Sequence, residues 1–171
     1  LDDDPPPAQR KCLQLIQQSG QSLLAIINDL LDLSRIEAGK LRLAAEPFDL
    51  ADCLEDTLRP FRPLAARKDV ALDLDVRPSA PARVVGDPGR LRQVITNLVG
   101  NALRFTDAGH VRVCVRRAEQ TDASAAGTLQ FEVADTGPGI PPEKQERIFE
   151  AFEQADTSAH RQYGGAGLGL A

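Results

Sequence analysis

Residues 88–105 constrain this chain more than any other stretch. Leu91, Val94, Ile95, Leu98 and Ala102 recur at steps of three and four, the spacing that lines one face of a helix. The segments around that helix have a different period. Val70, Leu72, Leu74 and Val76 alternate with Ala71, Asp73 and Asp75, as a half-buried strand does, and 78–81, with a proline at each end, breaks the run. A shorter strand is expected over 83–85 and two more over 110–116 and 128–134, the last two joined by a polar, alanine-rich loop at 119–127. Upstream, 40–48 reads as a short strand. Asp49 then caps a helix that presents Leu50, Leu54, Leu58 and Phe61 before Pro60 and Pro63 disturb it. Helices set between strands in this way predict an α+β chain folded as a two-layer α/β sandwich.

A second helical pattern precedes it. After an acidic, proline-rich leader at 2–7, the residues Leu13, Ile16, Leu23, Ile27 and Leu30 step by three, four or seven, with Leu24 and Leu31 widening the stripe. This predicts a long amphipathic helix over 9–38 that ends at Gly39, with Gly20 weakening its middle by about 1 kcal/mol relative to alanine. The near-heptad period favours a bundle helix from a dimer over a helix packed on its own domain. The change of pattern near Lys40 divides the chain into 1–39 and 40–171. Over 171 residues, 42% hydrophobic, the net charge is −5, which argues against a nucleic-acid partner. Cys12, Cys53 and Cys114 lack metal-ligand or paired spacing, so a reducing cytoplasm fits. The longest apolar stretch, 23–33, is interrupted by Asn28, Asp29 and Asp32, and no membrane span or signal peptide is expected.

Four segments carry chemistry. Asn97, Asn101 and Arg104, four and three residues apart, project from one helical face. An asparagine carbonyl oxygen is a hard ligand suited to Mg²⁺, and an arginine neutralises phosphate. Asp135, at a strand end, can accept a hydrogen bond from an exocyclic amine such as that of adenine. Gly137 and Gly139 let backbone approach the base, and Ile140 adds apolar contact. Phe149 and Phe152 form an aromatic pair, and the glycine-rich run 164–169 offers backbone N–H groups for phosphate where it leads into a helix. The run is neither a dinucleotide fingerprint nor a P-loop.

In this order the segments resemble bacterial histidine kinases. Residues 86–106 are similar to that family's N box, 135–139 to its G1 box, 148–154 to its F box and 165–169 to its G2 box. Residues 26–41 resemble the second helix of the dimerisation and phosphotransfer hairpin, particularly in hybrid-type kinases. The resemblance implies the GHKL, or Bergerat, ATP-binding fold and a kinase that transfers the γ-phosphate of ATP in a two-component phosphorelay. It implies Mg²⁺ on Asn101 with Asn97 nearby, Arg104 where the family often has lysine, and Asp135 on the adenine amine. A lid over 154–164 would be anchored by Phe149 and Phe152, and phosphate would meet Gly165, Gly167, Leu168 and Gly169. The implied partners are a response regulator or receiver domain and a second copy joined through the N-terminal helix. The chain would be a cytoplasmic portion, with an inner-membrane anchor in the parent left open.

The match departs from the family in three places. The family's phosphoacceptor motif, a histidine followed by an acidic residue, arginine and proline, is missing. His110 and His160 read as bystanders. The acceptor is therefore expected outside this chain, with no catalytic residue inside it and no autophosphorylation by the chain alone. Ala166 stands where the G2 box often has a hydroxyl, and the sandwich is expected to be incomplete at its C-terminal end. Two other functions compete: a degenerate, non-catalytic regulatory module, and a hydrolytic ATPase of the same fold. The hydrolases resemble one another in having a glutamate base where this chain has Asn97, and an amide cannot take a proton from water.

Overall fold

The computed structural model describes residues 6–118, 127–145 and 148. The backbone divides into two compact units, one containing the N-terminal helix and the other running from Arg42 to Pro142.

The first unit's helix, α1 (Pro7–Glu37), begins on a proline at its first turn, where a missing N–H costs nothing. Gly39, at φ 62°, ends it. The Gly39 N–H donates to the Ile36 carbonyl at 2.9 Å and the Lys40 N–H to that of Arg35 at 2.8 Å, closing the last turn. The apolar stripe expected from sequence is exposed: Leu13, Ile16 and Leu23 keep 56%, 62% and 59% of their surface.

The second unit starts with β1 (Glu46–Asp49) and α2 (Leu50–Leu58). The Asp52 N–H donates to the Asp49 carboxylate at 3.0 Å, so the expected cap forms. Pro60 and Pro63 do not break the chain into loop. Each falls in the first turn of a new helical segment, a 3-10 turn at Arg59–Phe61 and then α3 (Arg62–Arg67). The unit's remaining elements are β2 (Val70–Val76), β3 (Arg83–Gly86), α4 (Pro88–Phe105), β4 (Gly109–Arg117) and β5 (Leu129–Asp135); a helical turn, α5 (Pro142–Gln145), begins at its last residue and otherwise belongs to the first unit.

Strands β1 and β3 pair antiparallel from Glu46↔Gly86 to Asp49↔Arg83. The strand expected over 40–48 is therefore shorter and later, because its only partner in the described sheets is four residues long. The second sheet has the order β2-β4-β5. β2 runs parallel to β4, from Val70↔Gly109 to Val76↔Val115, which requires a crossover, and that crossover carries α4. β5 returns antiparallel, from Val111↔Asp135 to Arg117↔Leu129.

Helices α2, α3 and α4 pack on one face of this sheet. Leu50, Leu54 and Leu58 of α2, Ile95, Val99 and Leu103 of α4, and Val111, Val113 and Val115 of β4 are fully buried together. Each such side chain contributes about 1.5–3 kcal/mol of apolar burial. The opposite face presents Asp73, Arg112 and Glu132, all exposed, which accounts for the alternation read in the sequence. This α+β arrangement is the Bergerat-type core expected, with the long helix ahead of it.

Candidate functional site

The site is built on α4. At its start the Asp87 carboxylate accepts from the Arg90 N–H at 2.9 Å and from the Ala44 N–H at 3.0 Å, fixing the helix to the segment before β1. Those N–H groups, Ala44 first and then Arg90, hold the Asp87 carboxyl below its ordinary pKa. At its end the Lys68 ammonium donates to the Leu103 carbonyl at 2.8 Å and lies 3.7 Å from the Asp107 carboxylate. A cation on the last carbonyls complements the helix dipole.

At 100° per residue α4 has two faces. Ile95, Val99, Ala102 and Leu103 fill the core. Asn97, Asn101 and Arg104 lie on the other side, all half-buried. Val94 belongs with them. It was expected in the core, but its angular position falls between Asn97 and Leu98, and it is 55% exposed. Phe105, 54% exposed, completes that face.

Asp135 ends β5 opposite Val111, on the helix-covered side of the sheet. The Gly137 N–H donates to Asp135 Oδ1 at 2.8 Å, which commits one carboxylate oxygen to the turn. A Cβ on Gly137 would stand 2.8 Å from that oxygen and 3.0 Å from the Phe105 carbonyl oxygen. Only glycine brings the turn this close to the end of α4. The contact brings the Asp135 turn to the Phe105 end of α4. Gly139 has φ 72°, a conformation that favours glycine, and Ile140 is 43% exposed.

Arg104 holds its guanidinium carbon 5.2 Å from the Phe105 ring centroid, and its Nε is buried without a hydrogen-bond partner among the described residues. An unmatched cationic donor, neutral amides and a backbone cradle that only glycine allows suit an anionic ligand carrying an aromatic base. The donor set also suits Mg²⁺, which takes few protein ligands and keeps waters or phosphate oxygens. Among the described residues no group of three or more histidine, cysteine or acidic side chains could hold a metal.

Phe149, Phe152, Gly165, Gly167, Leu168 and Gly169 lie outside the described residues. Sequence reasoning missed Lys68, Phe105 and Thr136 as parts of the site. Only Thr136, next to the strand-end Asp135, carried a signal, since a hydroxyl there can hold a turn.

An α4 with one face in the core and the other beside a glycine-bearing turn defines a class of ATP-binding fold, and residues 86–171 match the family described as "Histidine kinase-, DNA gyrase B-, and HSP90-like ATPase". The chain belongs to that family. Within it, the chain is a catalytic domain of the sensor histidine-kinase type with a phospho-acceptor segment ahead, because residues 1–39 match the "His Kinase A (phospho-acceptor) domain".

The chain is 43% identical over 164 residues to "Signal transduction histidine-protein kinase BarA" of Escherichia coli K12, and 44% identical over 164 residues to "Sensor histidine kinase GacS" of Pseudomonas protegens. Each alignment takes in 96% of this chain and 18% of the relative. The chain thus spans under a fifth of the length of these relatives. Among solved structures it superposes on full-length ShkA in complex with AMPPNP at TM-score 0.77 and 35% identity, covering 99% of this chain and 33% of that one. It also superposes on the Acinetobacter baumannii histidine kinase AdeS at TM-score 0.70 and 26% identity, covering 98% and 72%.

One expectation is corrected here. The phospho-accepting part was expected outside this chain, whereas the phospho-acceptor domain match occupies residues 1–39 of the chain itself. The expectation rested on the missing histidine motif alone. Residues 1–39 contain no histidine, but the domain is defined by its helix as well as by its acceptor. Among the described residues no helix is long and apolar enough to cross a membrane.

Proposed function

We propose that this chain is the ATP-binding catalytic region, with part of the phospho-acceptor domain, of a two-component sensor histidine kinase that transfers the γ-phosphoryl group of ATP to a histidine side chain. The approach of the Asp135–Gly139 turn to the Asn101–Arg104 end of α4, through Gly137 and the Phe105 carbonyl, carries this reading. In it, Asp135 accepts a hydrogen bond from the adenine amine, and Gly137 and Gly139 admit the base, with Ile140 alongside. Asn101 ligates Mg²⁺ with Asn97 beside it, and Arg104 neutralises phosphate. Bound Mg²⁺ would supply charge neutralisation on the phosphates. Asn97 offers no base toward water, which favours transfer over hydrolysis. Phe149, Phe152, Gly165, Gly167, Leu168 and Gly169 retain their proposed lid and phosphate roles from the sequence pattern.

The relatives support the wider assignment. ThkA, which shares the fold at 22% identity, is known in complex with the response regulator TrrA. We assign this protein the same class of partner, a response regulator or receiver domain, and a second copy of itself paired through α1. The boundary between the two functional parts is placed at Gly39/Lys40, and the chain is assigned to the cytoplasmic portion of its parent.

Calorimetric titration of Mg-ATP into the unchanged chain, Asp135→Ala and Asn101→Ala tests the site. Each variant should lose at least tenfold in affinity, the scale of one charge-assisted hydrogen bond. Affinity like that of the unchanged chain in Asp135→Ala would refute the adenine assignment.

A further inference from the structure

The geometry points to Thr136 as a positioning residue for base recognition: its hydroxyl pins the turn that presents Asp135, and so sets how strictly an exocyclic amine is required. This rests on the reading of Asp135 given above.

The β4–β5 ladder ends at Val111↔Asp135, with Asp135 as the last residue of its strand. A carboxylate there would share the fraying of a strand end. Thr136 extends the pairing past that point. Its hydroxyl oxygen accepts from the His110 N–H at 3.0 Å, and its hydroxyl donates to the Ala108 carbonyl at 3.2 Å or, less closely, to that of His110 at 3.4 Å. The Thr136 N–H donates to the His110 carbonyl at 3.2 Å. The Thr136 hydroxyl thus replaces one of the two bonds of the next ladder step, and the Thr136 N–H supplies the other.

The segment it grips is itself held. Gly109 has φ 108°, and a Cβ there would collide with the Thr136 hydroxyl oxygen, so glycine is what lets the hydroxyl reach in. Two residues earlier, Asp107 lies 3.7 Å from Lys68, which also caps α4. Through this chain of contacts the Asp135 turn is referenced to the end of α4 from the β4 side, while Gly137 references it from the other. Among the described residues the hydrogen bond that orients the Asp135 carboxylate comes from the Gly137 N–H of the same turn. Without the threonine hydroxyl the carboxylate keeps its charge but loses its fixed position, and a hydrogen bond that depends on direction weakens more than general affinity does.

The test compares ADP with inosine diphosphate, which carries a carbonyl oxygen in place of the exocyclic amine, on the 171-residue chain. The unchanged chain should prefer ADP by about tenfold to a hundredfold, the range for a hydrogen bond to a charged group. Thr136→Val, which keeps the shape and drops the hydroxyl, should cut that ratio at least fivefold, and Thr136→Ser should restore it. A ratio in Thr136→Val equal to that of the unchanged chain overturns the inference and leaves the Asp135 reading standing. No preference in the unchanged chain overturns the Asp135 reading and the inference with it. Amide hydrogen exchange without nucleotide separates positioning from loss of fold. Thr136→Val should speed exchange at His110 and Gly137 and leave Val113 and Val133 unchanged, and faster exchange at all four overturns the inference.

Discussion

Asp87 serves two backbone groups at once, capping α4 through the Arg90 N–H and holding the Ala44 N–H. Both bonds favour the ionised carboxylate, so its folded-state pKa lies below its ordinary one. The stabilisation is therefore fully present above the ordinary carboxylate pKa of about 3.9 and is lost as pH falls from there through the lowered folded value. Asp87→Asn should have a lower urea midpoint than the unchanged chain at pH 7, and the gap should narrow below about pH 4. An equal gap at pH 7 and pH 3 would show that ionisation plays no part. This double role was not readable from sequence, because Ala44 lies 43 residues away and has no side-chain chemistry to announce it.

The elements differ in how far their limits were legible. α4 was placed at 88–105 and forms over Pro88–Phe105, since an opening proline and a strong period fix both its start and its register. The strand expected over 40–48 shrank to Glu46–Asp49 because strand length is set by the partner, which the local pattern does not show. Val94 was misjudged for a related reason. Apolarity marks a face but does not say whether protein or ligand covers it, and here the face is that of Asn97 and Asn101. The end of α4 depends on Lys68, a residue in the turn before β2 whose partners are carbonyls of another element. Lys68→Met should cost about 2–4 kcal/mol in urea denaturation, the sum of a charged hydrogen bond and a dipole contact. Stability within about 0.5 kcal/mol of the unchanged chain, the usual surface-substitution scale, would contradict that role.

At the scale of the whole molecule, the apolar stripe of α1 stands out among the described residues for its exposure. Leu23 and Ile27 keep 59% and 43% of their surface, and solvated helices seldom display so continuous an apolar row. From the proposed pairing through α1, sedimentation velocity should show association that grows with concentration and disappears in Leu23→Glu, Ile27→Glu. If both proteins stay monomeric throughout, α1 does not pair in this chain. The sequence announced this stripe and the Asn97, Asn101 and Arg104 face because both are periodic within one element. It was silent on Lys68 and gave for Thr136 only a hydroxyl beside a strand end, because both roles arise where the crossover returns β4 beside β2 and the end of α4. On the proposed reading α4 is at once core and binding wall, and this has a thermodynamic corollary. Whatever ligand its outer face holds is linked by mass action to folding, and a ligand at a hundred times its dissociation constant would add about 2.7 kcal/mol to the unfolding free energy. Occupancy of the site and persistence of the fold are then two readings of one equilibrium.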